Sequence, residues 1–234
     1  MSEPSASPPP EPAGGALVRK KVWDVPVRLV HWALPVLIAV SWWSAEVSKD
    51  INAMSWHMLC GEIVLGLVIF RAYWGVFGSE TARFGHFVRG PRAIIAHVRG
   101  QKIDRLGHNP LGAVSVVVML LLLAAQLVLG LFGIDEYELT AGPLQPFIPG
   151  ELAHKATALH GKVFWVLIAV IAAHIVAIGI YRLRGRNLLG PMITGHTRTQ
   201  GDTDDVEFAP LWRLALGVVI ALGLTYAIAK GFKF

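Results

Sequence analysis

Cysteine is nearly absent: Cys60 stands alone among 234 residues. A single thiol excludes an internal disulfide framework, a Cys-rich zinc or iron–sulfur site and the paired-cysteine attachment of a c-type haem. Charge is scarce as well. Asp, Glu, Lys and Arg make up 16% of the chain and hydrophobic residues 54%, whereas a soluble domain is about 25% charged. No motif of a hydrolase, a nucleotide-binding loop or a nucleic-acid-binding module is present. The net charge of +5 says little about nucleic acid, because in a membrane protein basic residues usually mark cytoplasmic loops. Met1 to Val18 is rich in Pro, Ser, Ala and Gly and has no apolar stretch. It reads as a disordered tail, assigned to residues 1–21, and not as a cleaved signal peptide.

What the chain does have is long apolar runs. A helix needs roughly 20 apolar residues to cross the hydrocarbon layer, and five segments qualify: Arg28 to Val47, Trp56 to Val76, Asn109 to Gly133, Ala156 to Leu183 and Leu211 to Ala229. The third has the clearest start, with Asn109 as cap and Pro110 where a helix tolerates proline. Pro35 lies inside the first and is expected to bend it.

Loop charge alternates in sign along the chain. Arg19, Lys20 and Lys21 precede the first span; Arg83, Arg89, Arg92, Arg99, Lys102 and Arg105 separate the second from the third; Arg182, Arg184, Arg186 and Arg198 follow the fourth. The opposite loops carry Glu46 and Asp50 beside Lys49, then Asp135, Glu136, Glu138 and Glu151. Positive loops stay inside, so the N-terminus is expected in the cytoplasm and the C-terminus outside, although Lys230 and Lys233 weigh mildly against the latter. Within the second basic loop, Pro91 to Arg99 is compatible with a short amphipathic helix on the membrane surface, or with a solvated basic loop.

Nine histidines are present, and His31, His57, His160 and His174 fall inside or at the edge of spans, where ionisable groups are costly and usually functional. Their depths pair them. The fourth span brings His160 near the outer face, level with His57, and His174 near the inner face, level with His31. Fourteen residues separate His160 from His174, a rotation only about 40° short of four turns and a rise of roughly 21 Å. Both imidazoles therefore leave one face of the helix, with room for a haem b at each level. A haem held by two histidines has no open axial position and suits electron transfer. Gly61, Gly66 and Gly161 add a weaker indication, since a flat macrocycle needs bare helix surface, though small residues are common in membrane helices.

These residues lie in motifs that resemble the prokaryotic cytochrome b561 family, which includes the cytochrome b subunits of nickel–iron hydrogenases. The matching stretches are Pro26-Val27-Arg28-Leu29-Val30-His31-Trp32, the His57 helix ending in Arg71-Ala72-Tyr73-Trp74, Gly107-His108-Asn109-Pro110, and His160 with His174 at the family's spacing. The resemblance runs from about Val22 to His196. It implies an all-α polytopic transmembrane bundle with a four-helix haem-binding core (residues 22–198), two haem b groups ligated by the pairs His31/His174 and His57/His160, and residence in the bacterial cytoplasmic membrane. It also implies electron exchange with quinone or with a redox partner protein, a hydrogenase or a c-type cytochrome. The fifth span, appended after an acidic linker (Asp202, Asp204, Asp205, Glu207; residues 199–234), departs from four-span members and is a candidate for sealing the bundle, docking a partner or oligomerising.

Arg28, Arg71 and Arg182 inside, and Lys155 and Lys162 outside, are candidates to neutralise haem propionates; for Arg182 a topological role is favoured. Glu62, within the second span, is expected to hydrogen-bond inside the bundle, with proton relay as the alternative. His154 is expected to be solvated, and His86, His97, His108 and His196 to be loop residues, His108 supporting the turn before Asn109. Two other functions share these features: a histidine-dependent proton or ion transporter, and a structural anchor subunit of a redox complex.

Overall fold

The computed structural model describes residues 18–48, 50, 52–88, 90–99, 107, 109–135, 139–199 and 205–233, without the side chains of Pro91, His97 and Val98. The tail up to residue 17 lies outside the described residues. So do Lys49, Arg89, Lys102, Arg105, His108, Glu136, Glu138, Asp202 and Asp204, with the roles expected of them.

The elements in order are β1 (Val18–Lys21), α1 (Val25–Trp42), α2 (Ala53–Phe77), α3 (Phe84–Phe87), α4 (Pro91–Val98), α5 (Pro110–Phe132), α6 (Gly150–Leu183), α7 (Leu189–Thr194), β2 (His196–Thr199) and α8 (Leu211–Ala229). A π-helical turn, Trp43–Val47, prolongs α1. Among the described residues five helices are long and apolar enough to cross a membrane: α1 with its π turn, α2, α5, α6 and α8. All five spans read from the sequence are present, and the fold is an all-α polytopic bundle. Large apolar side chains lie uncovered on the helix flanks, among them Leu121 at 65% exposure and Leu222 at 66%. Lipid is the solvent that such a surface requires.

Capping residues set the helix starts. Asn109 Oδ1 accepts from the Gly112 amide at 2.7 Å, with Pro110 as the first residue of α5. Asp24 caps α1 in the same way, its Oδ1 accepting from Val27 N at 2.9 Å. The other Asp24 oxygen accepts from the Trp74 indole at 2.8 Å, which ties the start of α1 to the end of α2. Around this bond Val22, Trp23, Val27, Val30, Phe70, Trp74 and Ala82 form a buried cluster, joined by Ala221 of α8. A second cluster, Val64, Leu123 and Leu167, joins α2, α5 and α6 at mid-bundle.

The stretch assigned to the tail ends earlier than residue 21. Val18–Lys21 is a strand, antiparallel to β2 in the register Val18↔Thr199 to Lys21↔His196. Val22 and Trp23 then donate to the Gly195 carbonyl at 2.8 and 3.1 Å. Gly195 ends α7 at φ 82°, and a Cβ there would meet the Trp23 carbonyl at 2.9 Å, so both conformation and space call for glycine. The basic helix Pro91–Val98 is formed.

The fifth helix is part of the bundle. Its linker is stitched to the segment after α2 and to β1: the Glu80 amide donates to the Glu207 carbonyl at 2.9 Å, Ala209 N to Ser79 Oγ at 3.1 Å, and Lys20 of β1 pairs with Asp205 at 3.3 Å. Along its length α8 packs on α2, with Gly217 against Tyr73 and Phe70, and Thr225 against Gly66. Gly66 therefore serves helix packing and not a macrocycle.

Two predictions follow from these contacts. Asp24→Ala removes the α1 cap and strands the buried Trp74 N–H, at a cost of about 2–4 kcal/mol, whereas Asp24→Asn keeps most of the stability; thermal unfolding in detergent measures both. A Cβ at Gly217 would stand 2.5 Å from the Tyr73 ring, while one at Gly223 meets nothing within 4 Å. Gly217→Leu is therefore expected to destabilise the protein by about 1–3 kcal/mol as overpacking, and Gly223→Ala to leave the melting temperature unchanged.

Candidate functional site

The four span histidines are all half-buried and sit on three helices: His31 on α1, His57 on α2, and His160 and His174 on α6. Two of them, His57 and His160, face each other directly. The ring centroids of His57 and His160 are 6.0 Å apart at an interplanar angle of 71°. His31 and His174 lie within electrostatic reach of each other. Leu167, seven residues from each α6 histidine, is buried between the two levels.

Each ring is positioned from the neighbouring helix. His160 Nδ1 lies 2.9 Å from the Gln126 carbonyl oxygen of α5. A carbonyl only accepts, so Nδ1 carries the proton and donates, which leaves Nε2 with its lone pair. The close approach depends on Gly130: a Cβ there would stand 3.0 Å from His160 Cε1. His57 Nδ1 lies 3.0 Å from both the carbonyl and the hydroxyl oxygen of Ser41 on α1. The carbonyl again makes Nδ1 the donor. The same Ser41 carbonyl accepts from Ser44 Oγ at 2.9 Å, just ahead of the π turn; such turns recur at functional sites. His174 Nδ1 is 3.5 Å from Ser115 Oγ of α5, at the outer limit of a hydrogen bond. His31 Nδ1 is buried and makes no hydrogen bond among the described residues.

The sequence did not point to Ser41, Ser115 or Gly130. A backbone carbonyl has no residue-type signature; the one readable signal was Gly130, four residues after the polar Gln126 on one helix face. Gly61 and Gly161, nominated as bare surface, have nothing within 4 Å of a built Cβ.

Of the cations, Arg71 is buried, with its guanidinium 4.9 Å from the Phe84 ring centre and Nη1 unpartnered. Gly75 makes room for that ring, since its Cβ would collide with Phe84. Asp24 stands within electrostatic reach of Arg71. Arg28, one turn before His31, donates through Nη1 to the Ile193 carbonyl and keeps a buried, unpartnered Nε. Lys155 is paired with Glu151 at 2.6 Å, and Lys162 is exposed. The hydrogen bond expected for Glu62 is not formed among the described residues; its half-buried carboxylate stands without one. His86 pairs with Glu80 at 3.2 Å, and His196 Nδ1 lies 2.9 Å from the Thr194 carbonyl in the turn before β2.

Comparison with known proteins gives one finding. The family model for prokaryotic cytochrome b561 matches residues 22–195, from the residue after β1 to the residue before β2, and so takes in all four histidines and both clustered arginines but not α8. No curated protein and no solved structure matches the chain. Since the match covers well over half of the sequence, the chain belongs to the prokaryotic cytochrome b561 family and, as a member, is a membrane-bound b-type haem protein of electron transfer.

Proposed function

We propose that the protein carries electrons across the cytoplasmic membrane through two bis-histidine haems, one held by His57 and His160 and the other by His31 and His174. The observation that carries this reading is the spacing of the first pair. The ring centroids of His57 and His160 stand 6.0 Å apart, a separation at which both imidazoles would reach one haem iron held between them. Their Nδ1 atoms are tied to carbonyl oxygens, which fixes the tautomer that metal ligation through Nε2 requires. The bare surface at Gly61 and Gly161 suits a flat ring.

Haem held there by the histidines would supply a one-electron couple. The residues of the chain hold it, orient it and balance its charge. Ser41 and Gln126 fix the two imidazoles at one level, and Gly130 lets His160 reach its acceptor. Arg28 and Arg71 each keep a buried guanidinium nitrogen without a partner, the donors an anionic propionate needs at the other level. The apolar layer of Val64, Leu123 and Leu167 separates the two levels. The basic face, with Arg19, Lys20, Arg92 and Arg184, is assigned to the cytoplasm. Electrons are exchanged with quinone or quinol and with a redox partner protein, a hydrogenase or a c-type cytochrome.

The purified protein is expected to hold two haem b per chain and to give a low-spin, six-coordinate reduced-minus-oxidised spectrum. His160→Ala and His174→Ala should each lower the pyridine haemochrome count from two to one or below, whereas haem content unchanged in both variants refutes the assignment. Gly130→Leu should lower haem content with all four histidines intact, because it pushes His160 off the Gln126 carbonyl.

A further inference from the structure

We propose that the cleft between α3 and the basic end of α2 binds one anionic phospholipid, with its phosphodiester on Arg83 and its acyl chains along Val76 and Phe77. The site uses none of the four histidines and stands independently of the electron-transfer reading above.

After α2 the chain turns through a 3-10 segment, Glu80–Ala82, into α3. α3 folds back onto α2: the Phe84 ring takes the space that a Cβ at Gly75 would fill, and lies against the buried Arg71 guanidinium. Beside this contact a cleft of about 490 Å³ remains, with Gly75 and Val76 on one side and Glu80, Arg83, Phe84, Gly85 and His86 on the other. Sites that enclose a small ligand have volumes of about 300–1,000 Å³. The cleft lies where hydrocarbon gives way to headgroups. Val76 and Phe77 are 58% and 52% exposed, a surface for lipid. Arg213 of α8, its guanidinium near the Trp212 ring, donates through Nη1 to the Phe77 carbonyl at 3.4 Å. Tryptophan and arginine are residues that settle at the headgroup level.

The polar groups of the cleft are unevenly occupied. Glu80 is engaged at both oxygens: Oε1 accepts from His86 Nδ1 at 3.2 Å and Oε2 from the Glu207 amide at 3.1 Å. Arg83 has one partner among the described residues, the Glu207 carboxylate at 3.5 Å, whose side chain is 77% exposed. An exposed pair of this kind is weak and leaves most of the guanidinium donors unused. The cleft thus offers the spare donors of a cation, while its one carboxylate is already satisfied. A planar guanidinium holds a phosphodiester through two parallel N–H···O bonds. A free phosphate would meet Arg83 and leave Phe84, Val76 and Phe77 uncovered. An anionic amphiphile answers both surfaces, and basic pockets at the membrane face hold anionic lipid headgroups.

The test titrates the full-length protein, delipidated in detergent, with phosphatidylglycerol or phosphatidylcholine, and native mass spectrometry reads the first lipid bound. Phosphatidylglycerol should bind about tenfold more tightly than phosphatidylcholine, and Arg83→Gln should remove that advantage, the loss of one charge-assisted hydrogen bond. Gly85→Leu keeps Arg83 and fills the cleft; a Cβ there meets nothing within 4 Å, so the fold accommodates it, and it should weaken phosphatidylglycerol as much. This variant carries the test should Arg83→Gln fail to fold. Glu207→Gln frees Arg83 from its ion pair and should keep or tighten binding, which a purely structural role for that pair does not predict. Exposed Arg186→Gln, on the same basic end, should change binding by less than about twofold. Equal affinity for the two lipids, equal losses in Arg186→Gln and Arg83→Gln, or unchanged binding in Gly85→Leu overturns the proposal. Displacement of the lipid by millimolar inorganic phosphate also overturns it, since the site would then belong to a soluble anion.

Discussion

A ring nitrogen taken into hydrocarbon has to find a partner, and the cost of leaving it without one governs how this bundle is assembled. Each span histidine has two nitrogens to place. For three of the four, Nδ1 is met by the neighbouring helix: Ser41 of α1 serves His57 of α2, while Gln126 and Ser115 of α5 serve His160 and His174 of α6. These bonds run within two closely packed antiparallel pairs, α1 with α2 and α5 with α6. Each hairpin orients its own imidazoles, His31 excepted. The two hairpins then meet where histidines face one another, and their direct packing runs chiefly through α2 and α5 with the Val64–Leu123–Leu167 cluster. Under the proposed ligation, a metal bonded to His57 on one hairpin and His160 on the other is also a cross-link between them.

The basic end of the bundle solves a different problem. Here the helices end, and a buried guanidinium, Arg71, has to be tolerated among Trp74, Phe84 and Phe70. Asp24 makes this possible by acting three ways at once: it caps α1, accepts the Trp74 indole N–H and lies within electrostatic reach of Arg71. Chain segments far apart in sequence close over this cluster. β1 pairs with β2, Thr81 Oγ1 donates to the Val22 carbonyl at 2.6 Å, and the linker before α8 is bonded to Ser79 and Glu80. The fifth helix thus begins at the same cap that positions Arg28 and Arg71, and it covers the α2 face bearing Gly66, Phe70 and Tyr73. It lies outside the family match and inside the packing.

The parts of this molecule that were legible in the sequence are those encoded by periodicity. Five apolar runs were enough to give five helices, because a chain in lipid has few other ways to satisfy its backbone. The approach of His57 to His160 agrees with the depth read for each from its place along its span. What was not legible depends on atoms that every residue has. The acceptors for His57 and His160 are main-chain carbonyls, and no residue type announces them. Gly66 and Gly61 look alike in the sequence, yet one is covered by Thr225 and the other has nothing within 4 Å; only the position of α8 separates them. The strand Val18–Lys21 was hidden in a stretch whose composition reads as tail, since its partner lies 175 to 181 residues away, from Lys21↔His196 to Val18↔Thr199.

The layer between the two histidine levels discriminates among functions that the histidines alone leave open. Val64, Leu123 and Leu167 are buried at mid-bundle, and Leu34, Leu37, Ile38, Val68, Leu122, Leu127 and Ile171 pack around them. A proton or ion crossing the bundle needs a continuous series of hydrogen-bonding groups or water, and an apolar layer of this kind interrupts such a series. Electron transfer has no such requirement, since it proceeds through packed side chains without moving an atom across the gap. The same side chains that would block a proton channel would, under the proposed dihaem reading, keep two redox centres dry and apart. In this bundle the hydrocarbon middle is compatible with the passage of electrons and unfavourable to that of protons, and Glu62, the acidic group that enters the second span, lies on the His57 side of that layer and does not bridge it.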